Sequence, residues 1–121
     1  MLEAIKRRVS REGLQNVETR LSTETNLNLP AGELDAVLIV DTYQEIDEPE
    51  RRVGVLRGLA QTLKPNGRIG IVNYKPGRGG PGPEPERRID SSVAEAEARK
   101  AGLRVVDRAN LPFQYLLVLG K

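Results

Sequence analysis

The chain has 121 residues, 38% hydrophobic and 30% charged, enough apolar material for one domain burying roughly two thirds of the surface its unfolded chain exposes. Nineteen Lys and Arg stand against seventeen Asp and Glu for a net charge of +2; the basic residues are dispersed and only three Tyr and one Phe could stack on bases, so nucleic-acid binding is not expected. Cys and His are both missing, which excludes disulfides, thiolate or imidazole metal sites and a Ser-His-Asp triad in this chain, and leaves carboxylates, Lys, Tyr and backbone groups as the available chemistry.

The opening residues Met1 to Arg8 carry no apolar run of signal-peptide type, and no stretch approaches the ~20 apolar residues of a membrane span; a cytoplasmic chain is expected. Leu2, Ile5 and Val9 recur at helical spacing, with Gly13 placed as a C-cap. Val17 to Leu21 alternates as a half-buried strand does, and a polar loop from Thr23 ends at Pro30-Ala31-Gly32. Ala36 to Val40 is an unbroken aliphatic run closed by Asp41, the pattern of a strand covered on both faces. Asp47 and Glu50 form a capping-box pair around Pro49, and Val53, Leu56, Leu59, Ala60 and Leu63 make one helical face.

Lys64-Pro65-Asn66-Gly67 stops that helix in a turn, and Ile69 to Val72 form a second buried strand ending at Asn73-Tyr74-Lys75. Pro76 to Pro85, dense in Gly and Pro, predicts an irregular and mobile loop. Ser92 and Glu95 offer a second capping box for a helix running to Lys100 and capped by Gly102. Leu103 to Asp107 and Gln114 to Leu119 are two strands whose connection is too short for a crossover, so they pair antiparallel. Strands alternating with helices predict an α/β fold: a mixed sheet, mostly parallel with an antiparallel last strand, and helices on its faces. Residues 1–121 read as a single domain, with no internal repeat or boundary.

Ligands of open α/β sheets bind beyond the carboxyl ends of the parallel strands. Those ends are Asp41-Thr42-Tyr43-Gln44-Glu45 and Asn73-Tyr74-Lys75. Together with Leu34 to Val40, Leu63-Lys64-Pro65-Asn66-Gly67-Arg68-Ile69 and Leu111-Pro112-Phe113-Gln114-Tyr115, they resemble the later motifs of class I S-adenosylmethionine-dependent methyltransferases, continuously from Met1 to Lys121. The resemblance implies the C-terminal part of that fold, a seven-stranded sheet whose last strand is antiparallel, with S-adenosylmethionine as cofactor and no metal. Asp41 and Tyr43 are then the catalytic candidates. Thr23, Glu24, Asp41 and Thr42 are the cofactor candidates, and Gln44, Asn73, Tyr74 and Lys75 face the methyl acceptor. Each also has a plainer reading: Asp41 as a strand-end cap, Tyr43 and Tyr74 as packing at a sheet edge.

The departures from the family pattern carry as much weight. The family's glycine-rich cofactor loop and its ribose-binding carboxylate lie upstream of the position that Met1 matches. Thr23 stands where an acidic residue is usual, Gln44 where His is common, and Asn73 where an acidic residue is expected. A methyltransferase domain fragment that binds cofactor weakly or not at all follows, with a non-catalytic interaction or structural module on the same fold as the alternative. A nicotinamide-binding fold is disfavoured because G-x-G-x-x-G is missing. The family's first two strands fall between the Val17 and Ala36 strands, which would leave Ala36 to Val40 as a long unprotected apolar edge. Such edges are normally paired or covered, so a homo-oligomer formed through that edge is expected.

Overall fold

A computed structural model of the protein describes residues 2–22, 27–77 and 80–121. The elements in chain order are α1 (Leu2–Arg11), β1 (Leu34–Val40), a 3-10 turn (Tyr43–Glu45), α2 (Pro49–Thr62), β2 (Leu63–Tyr74), a second 3-10 turn (Pro85–Arg87), α3 (Ser91–Lys100), β3 (Arg104–Asn110) and β4 (Gln114–Gly120).

The strands form one sheet in the order β1-β2-β4-β3. β1 pairs parallel to β2, and β4 pairs antiparallel to both β2 and β3. Three strands therefore run one way and the last runs against them, as the short link through Pro112 requires.

Successive side chains of a strand point to opposite faces, and the register sorts them into rows. One face carries Val37, Ile69 and Leu119, then Ile39, Ile71 and Leu117. It packs beneath α2 and α3, forming a core with Leu56, Leu59, Ala94 and Ala98. In α2 the inward residues Arg52, Leu56 and Leu59 recur at helical spacing. In α3 they are Ala94, Glu97 and Ala98, and two small alanines let the helix lie close to the sheet.

The other face carries Leu38, Gly70 and Val118, then Val40, Val72 and Leu116. Leu38 is 69% exposed and Val40 47%. The expectation of a β1 covered on both faces is thus corrected: helices of the described residues cover one face, and the aliphatic run continues onto a face left open.

Other expectations shift locally. The expected strand at residues 17–21 does not form: they pair with no strand among the described residues, and a strand exists only where a neighbour takes up its N–H and C=O groups. The cap of α2 is Glu48 with Pro49 following, and no side chain caps it, so Asp47 and Glu50 form no capping box. The cap of α3 is Asp90, whose carboxylate accepts from the Ser92 backbone N–H at 3.2 Å and from the Ser92 hydroxyl. Glu95 is drawn instead to Arg108 on β3, at 2.6 Å. Lys64 to Gly67 make a bulge inside β2, since Leu34 pairs with Leu63 and Ala36 with Arg68. The glycine caps after α1 and α3 are present: Gly13 (φ +65°) and Gly102 (φ +87°) both take the left-handed conformation.

Candidate functional site

The carboxyl ends of β1 and β2 lie side by side, and the chain leaving β1 turns sharply there. Asp41 sits at φ +52°, a left-handed conformation that a non-glycine residue holds only when its surroundings fix it. Three contacts do so. Its N–H donates to Val72 O at 2.8 Å, its carbonyl accepts from Gln44 Nε2 at 2.9 Å, and its carboxylate accepts from Gln114 Nε2 at 3.1 and 3.4 Å. Asp41 is therefore built jointly by β1, β2 and β4. Thr42 is exposed beside it, its hydroxyl donating to Val40 O at 2.8 Å.

The residues after the turn go the other way. Tyr43 is fully buried in the helix layer, and its hydroxyl donates to Glu97 Oε1 at 2.6 Å. Arg52 closes a bidentate pair with the same carboxylate, Nε to Oε1 at 2.9 Å and Nη2 to Oε2 at 2.8 Å. Its Nη1 donates to Ile46 O at 2.9 Å, and its guanidinium lies 5.8 Å from the Tyr43 ring centroid. Burial would raise the Glu97 carboxyl, but hydrogen bonds from Arg52 and Tyr43 outweigh it and hold the group below the ordinary carboxylate range. Burial, reinforced by Glu97, pushes the Tyr43 phenol upward. Tyr43 thus presents no hydroxyl to a ligand at the strand ends; its contribution is to fix the loop that carries Asp41.

Gln44 and Asn73 are both buried. Asn73 Nδ2 donates to the Tyr115 hydroxyl at 3.3 Å, which itself donates to Ile89 O at 2.8 Å. Gln44 Oε1 and Asn73 Oδ1 find no hydrogen-bond partner among the described residues. Burial raises the Tyr115 hydroxyl, opposed by its bond with Asn73.

Tyr74 is half-buried, with the Arg88 guanidinium 5.7 Å from its ring centroid. Gly82 lies so close on that ring that a Cβ there would stand 2.6 Å from it. Gly80 (φ +70°) approaches Phe113 in the same way. Lys75 N–H donates to Phe113 O at 2.9 Å, and its carbonyl accepts from Arg88 Nη1 at 3.3 Å. The segment after β2 is thus irregular, as its composition predicts, and its described part folds back over Tyr74 and Phe113. Thr23 and Glu24 lie outside the described residues.

The structure thus brings Asp41, Thr42, Gln44, Asn73, Tyr74 and Lys75 to one end of the sheet. The buried Arg52–Glu97 pair was missed by the sequence reading. Its signal was present: Arg52 lies in the stripe of Leu56 and Leu59, and Glu97 in that of Ala94 and Ala98, a cation and an anion each on an apolar helix face.

A concavity of about 440 Å³ lies elsewhere, between Leu27 to Ala31 and α2. Among the described residues no cluster of three or more Asp or Glu could hold a metal ion, and no helix is long and apolar enough to cross a membrane.

A family model described as a methyltransferase domain matches residues 1–71, more than half of the sequence. The chain belongs to the methyltransferase domain family. Solved structures of such proteins share its fold. A S-adenosylmethionine-dependent methyltransferase from Aquifex aeolicus is 25% identical with a TM-score of 0.84, over 94% of this chain and 60% of its own. A protein from Sulfolobus solfataricus, described as a type 11 methyltransferase, is 23% identical with a TM-score of 0.75, over 100% of this chain and 68% of its own. NcsB1, an O-methyltransferase of neocarzinostatin biosynthesis solved with S-adenosyl-L-homocysteine and 1,4-dihydroxy-2-naphthoic acid, is 16% identical with a TM-score of 0.80, over 98% of this chain and 38% of its own. The chain therefore spans less than two thirds of the Aquifex and NcsB1 chains. No curated protein matches it.

Proposed function

We propose that this chain supplies the strand-end half of an S-adenosylmethionine-dependent methyl-transfer site, and that by itself it holds the cofactor weakly. The observation that carries the reading is the turn at Asp41, a carboxylate fixed by three strands at the carboxyl end of a methyltransferase sheet. S-adenosylmethionine, when bound, supplies an electrophilic methyl on a sulfonium cation. The residues present suit its positively charged methionine end: the Asp41 carboxylate offers charge, and Thr42 a hydroxyl. They do not suit its methionine carboxylate or its ribose hydroxyls, for which the glycine-rich loop and acidic residue of the family have no counterpart in this sequence.

Within that reading Asp41 and Thr42 contact the cofactor, and Thr23 and Glu24 approach its adenine. Gln44, Asn73, Tyr74 and Lys75 border the acceptor, while Tyr43 positions the loop from below. No side chain needs to act as a strong base; holding the acceptor atom in line with the methyl is the main task of such a site. Residues 1–121 act as one structural unit, cytoplasmic, and the unpaired edge of β1 favours self-association.

Titration with S-adenosyl-L-homocysteine followed by amide NMR tests the reading. Expected are millimolar-range shifts centred on Asp41, Thr42, Gln44 and Asn73, diminished by Asp41→Ala. Micromolar affinity would overturn the incompleteness of the site. Shifts elsewhere, or none at saturating probe, would favour a non-catalytic interaction module, the reading that the uncovered sheet face supports.

A further inference from the structure

Among the asparagines of this sequence only Asn66 is followed by glycine. Asn16, Asn26, Asn28, Asn73 and Asn110 precede Val, Leu, Leu, Tyr and Leu, whose side chains hinder the next amide nitrogen from reaching the asparagine Cγ. Gly67 has no Cβ to hinder it. The pair also lies in the bulge of β2. Leu63 pairs with Leu34 and Arg68 with Ala36, so Asp35 alone stands opposite Lys64 to Gly67, and pairing with β4 begins only at Ile69. No ladder partner among the described residues holds this stretch from either side, and Asn66 is exposed.

We propose that Asn66 is a site of self-modification, converting through a cyclic imide with Gly67 into isoaspartate and aspartate. The Gly67 nitrogen attacks Asn66 Cγ and forms the N–Cγ bond; the Cγ–Nδ2 bond breaks, and ammonia leaves with the proton of the Gly67 amide. Water then opens the ring. Attack at Cγ gives aspartate, attack at the Asn66 main-chain carbonyl carbon gives isoaspartate, and in both cases the Gly67 nitrogen regains a proton from the water. One water is consumed and one ammonia released, with no oxidant, reductant or cofactor. A neutral amide becomes a carboxylate, so the net charge falls one unit below +2.

Arg68 adds to this what the sequence pair alone does not have. Its Nη1 donates to Asn66 O at 3.2 Å and to Gly67 O at 3.0 Å. The Asn66 carbonyl is conjugated to the attacking nitrogen, and a cationic donor on its oxygen draws electron density from that amide and makes its N–H more acidic. The same carbonyl becomes part of the imide, where the guanidinium directs water to it and so favours isoaspartate. The carboxylate freed by that opening stays beside Arg68. Packing keeps the reactive pair in place, because a Cβ at residue 67 would stand 3.0 Å from the Leu63 side chain and from Lys64 O. The extra main-chain atom of isoaspartate falls inside the bulge, where no strand register depends on it.

The full chain is kept in mildly alkaline buffer, both folded and unfolded in urea, and its peptides are mapped over time by mass spectrometry that separates isoaspartate from aspartate. In the folded chain Asn66 should convert at least about tenfold faster than any other asparagine, with isoaspartate the main product, and Asn66→Gln should abolish the conversion. A folded chain in which Asn66 converts no faster than the other asparagines overturns the proposal. Conversion confined to the unfolded chain also overturns it, because the bulge then protects the pair. Arg68→Lys keeps the charge without the guanidinium fork, and circular dichroism confirms its fold. Its folded rate at Asn66 should drop about threefold to tenfold and its share of isoaspartate should fall, while in urea it should match the wild type. A folded rate and product ratio equal to those of the wild type would overturn the part assigned to Arg68; the comparison with Asn66→Gln stands independently of that variant.

Discussion

The two faces of this sheet are built from the same four strands and from much the same residues, yet they differ in burial, most clearly at the central strands. Ile39, Ile71 and Leu117 form a row under α2 and α3 with Ile71 and Leu117 fully or almost fully buried, while one residue along, Val40, Val72 and Leu116 form a row that stays in contact with water. Hydrophobicity alone therefore does not make a core. Coverage does, and coverage comes from helices whose position is fixed by something more directional than apolar contact. Here the directional element is the Tyr43–Glu97–Arg52 cluster, which ties the turn after β1 to both helices of the covered face.

Removing the cluster's centre should break the contrast most strongly. Glu97→Ala would leave the Arg52 guanidinium buried without its counter-ion, a change expected to cost about 3–5 kcal/mol, measurable by denaturant unfolding. Glu97→Gln should cost less but abolish a pH dependence. Because the folded carboxyl of Glu97 lies below its ordinary value of about 4.3, the stability it contributes is present above that value and is lost as pH falls through the lower folded one. The wild-type chain should therefore lose stability on acidification more steeply than Glu97→Gln. Parallel acid profiles for the two would show that the carboxylate carries no such linkage, and a loss of under about 1 kcal/mol for Glu97→Ala would show the pair to be open to water.

A substitution on the covered face comes next in size. Ile71→Ala removes a fully buried side chain from the centre of β2 and is expected to cost about 2–5 kcal/mol, depending on how far α2 can settle into the space. The same measurement on Val72→Ala, its neighbour on the open face, should give a clearly smaller loss; equal losses would erase the distinction between the faces.

Much of this architecture was legible in the sequence. The unbroken run before Asp41, the helical stripe of α2 and the short link through Pro112 suffice for the alternation of strands and helices and for the antiparallel finish, whereas the expected turn at Lys64-Pro65-Asn66-Gly67 is a bulge inside β2. Side-chain direction was less legible. Tyr43 follows Asp41 and Thr42 closely enough to read as part of one ligand-facing motif, but the positive φ of Asp41 rotates the chain so that Tyr43 enters the helix layer. A single backbone angle of that kind has no compositional mark when the residue is Asp rather than Gly. The partners of Tyr43 come from 9 and 54 positions away, Arg52 in contact with its ring and Glu97 bonded to its hydroxyl, and pairing across such a separation is invisible to local periodicity. The continuous hydrophobicity of β1 misled for a related reason: it reports that both faces of the strand are apolar, and it cannot report whether a helix lies over each.

The smallest expected effect bears most directly on that last point. Leu38 faces outward on β1 and is 69% exposed, so in the monomer its side chain has little burial to lose. Leu38→Thr places a β-branched residue in the strand, and the monomer's stability should change by no more than about 0.5 kcal/mol. Under the proposed self-association at the edge of β1 the same side chain is covered in the dimer, so the cost should grow with protein concentration as the dimer becomes the reference state. Unfolding followed over a range of concentrations separates the two contributions, with the dilute limit reporting the monomer and the slope reporting the interface. A loss of about 2 kcal/mol that persists undiminished at dilution would place Leu38 under cover within a single chain.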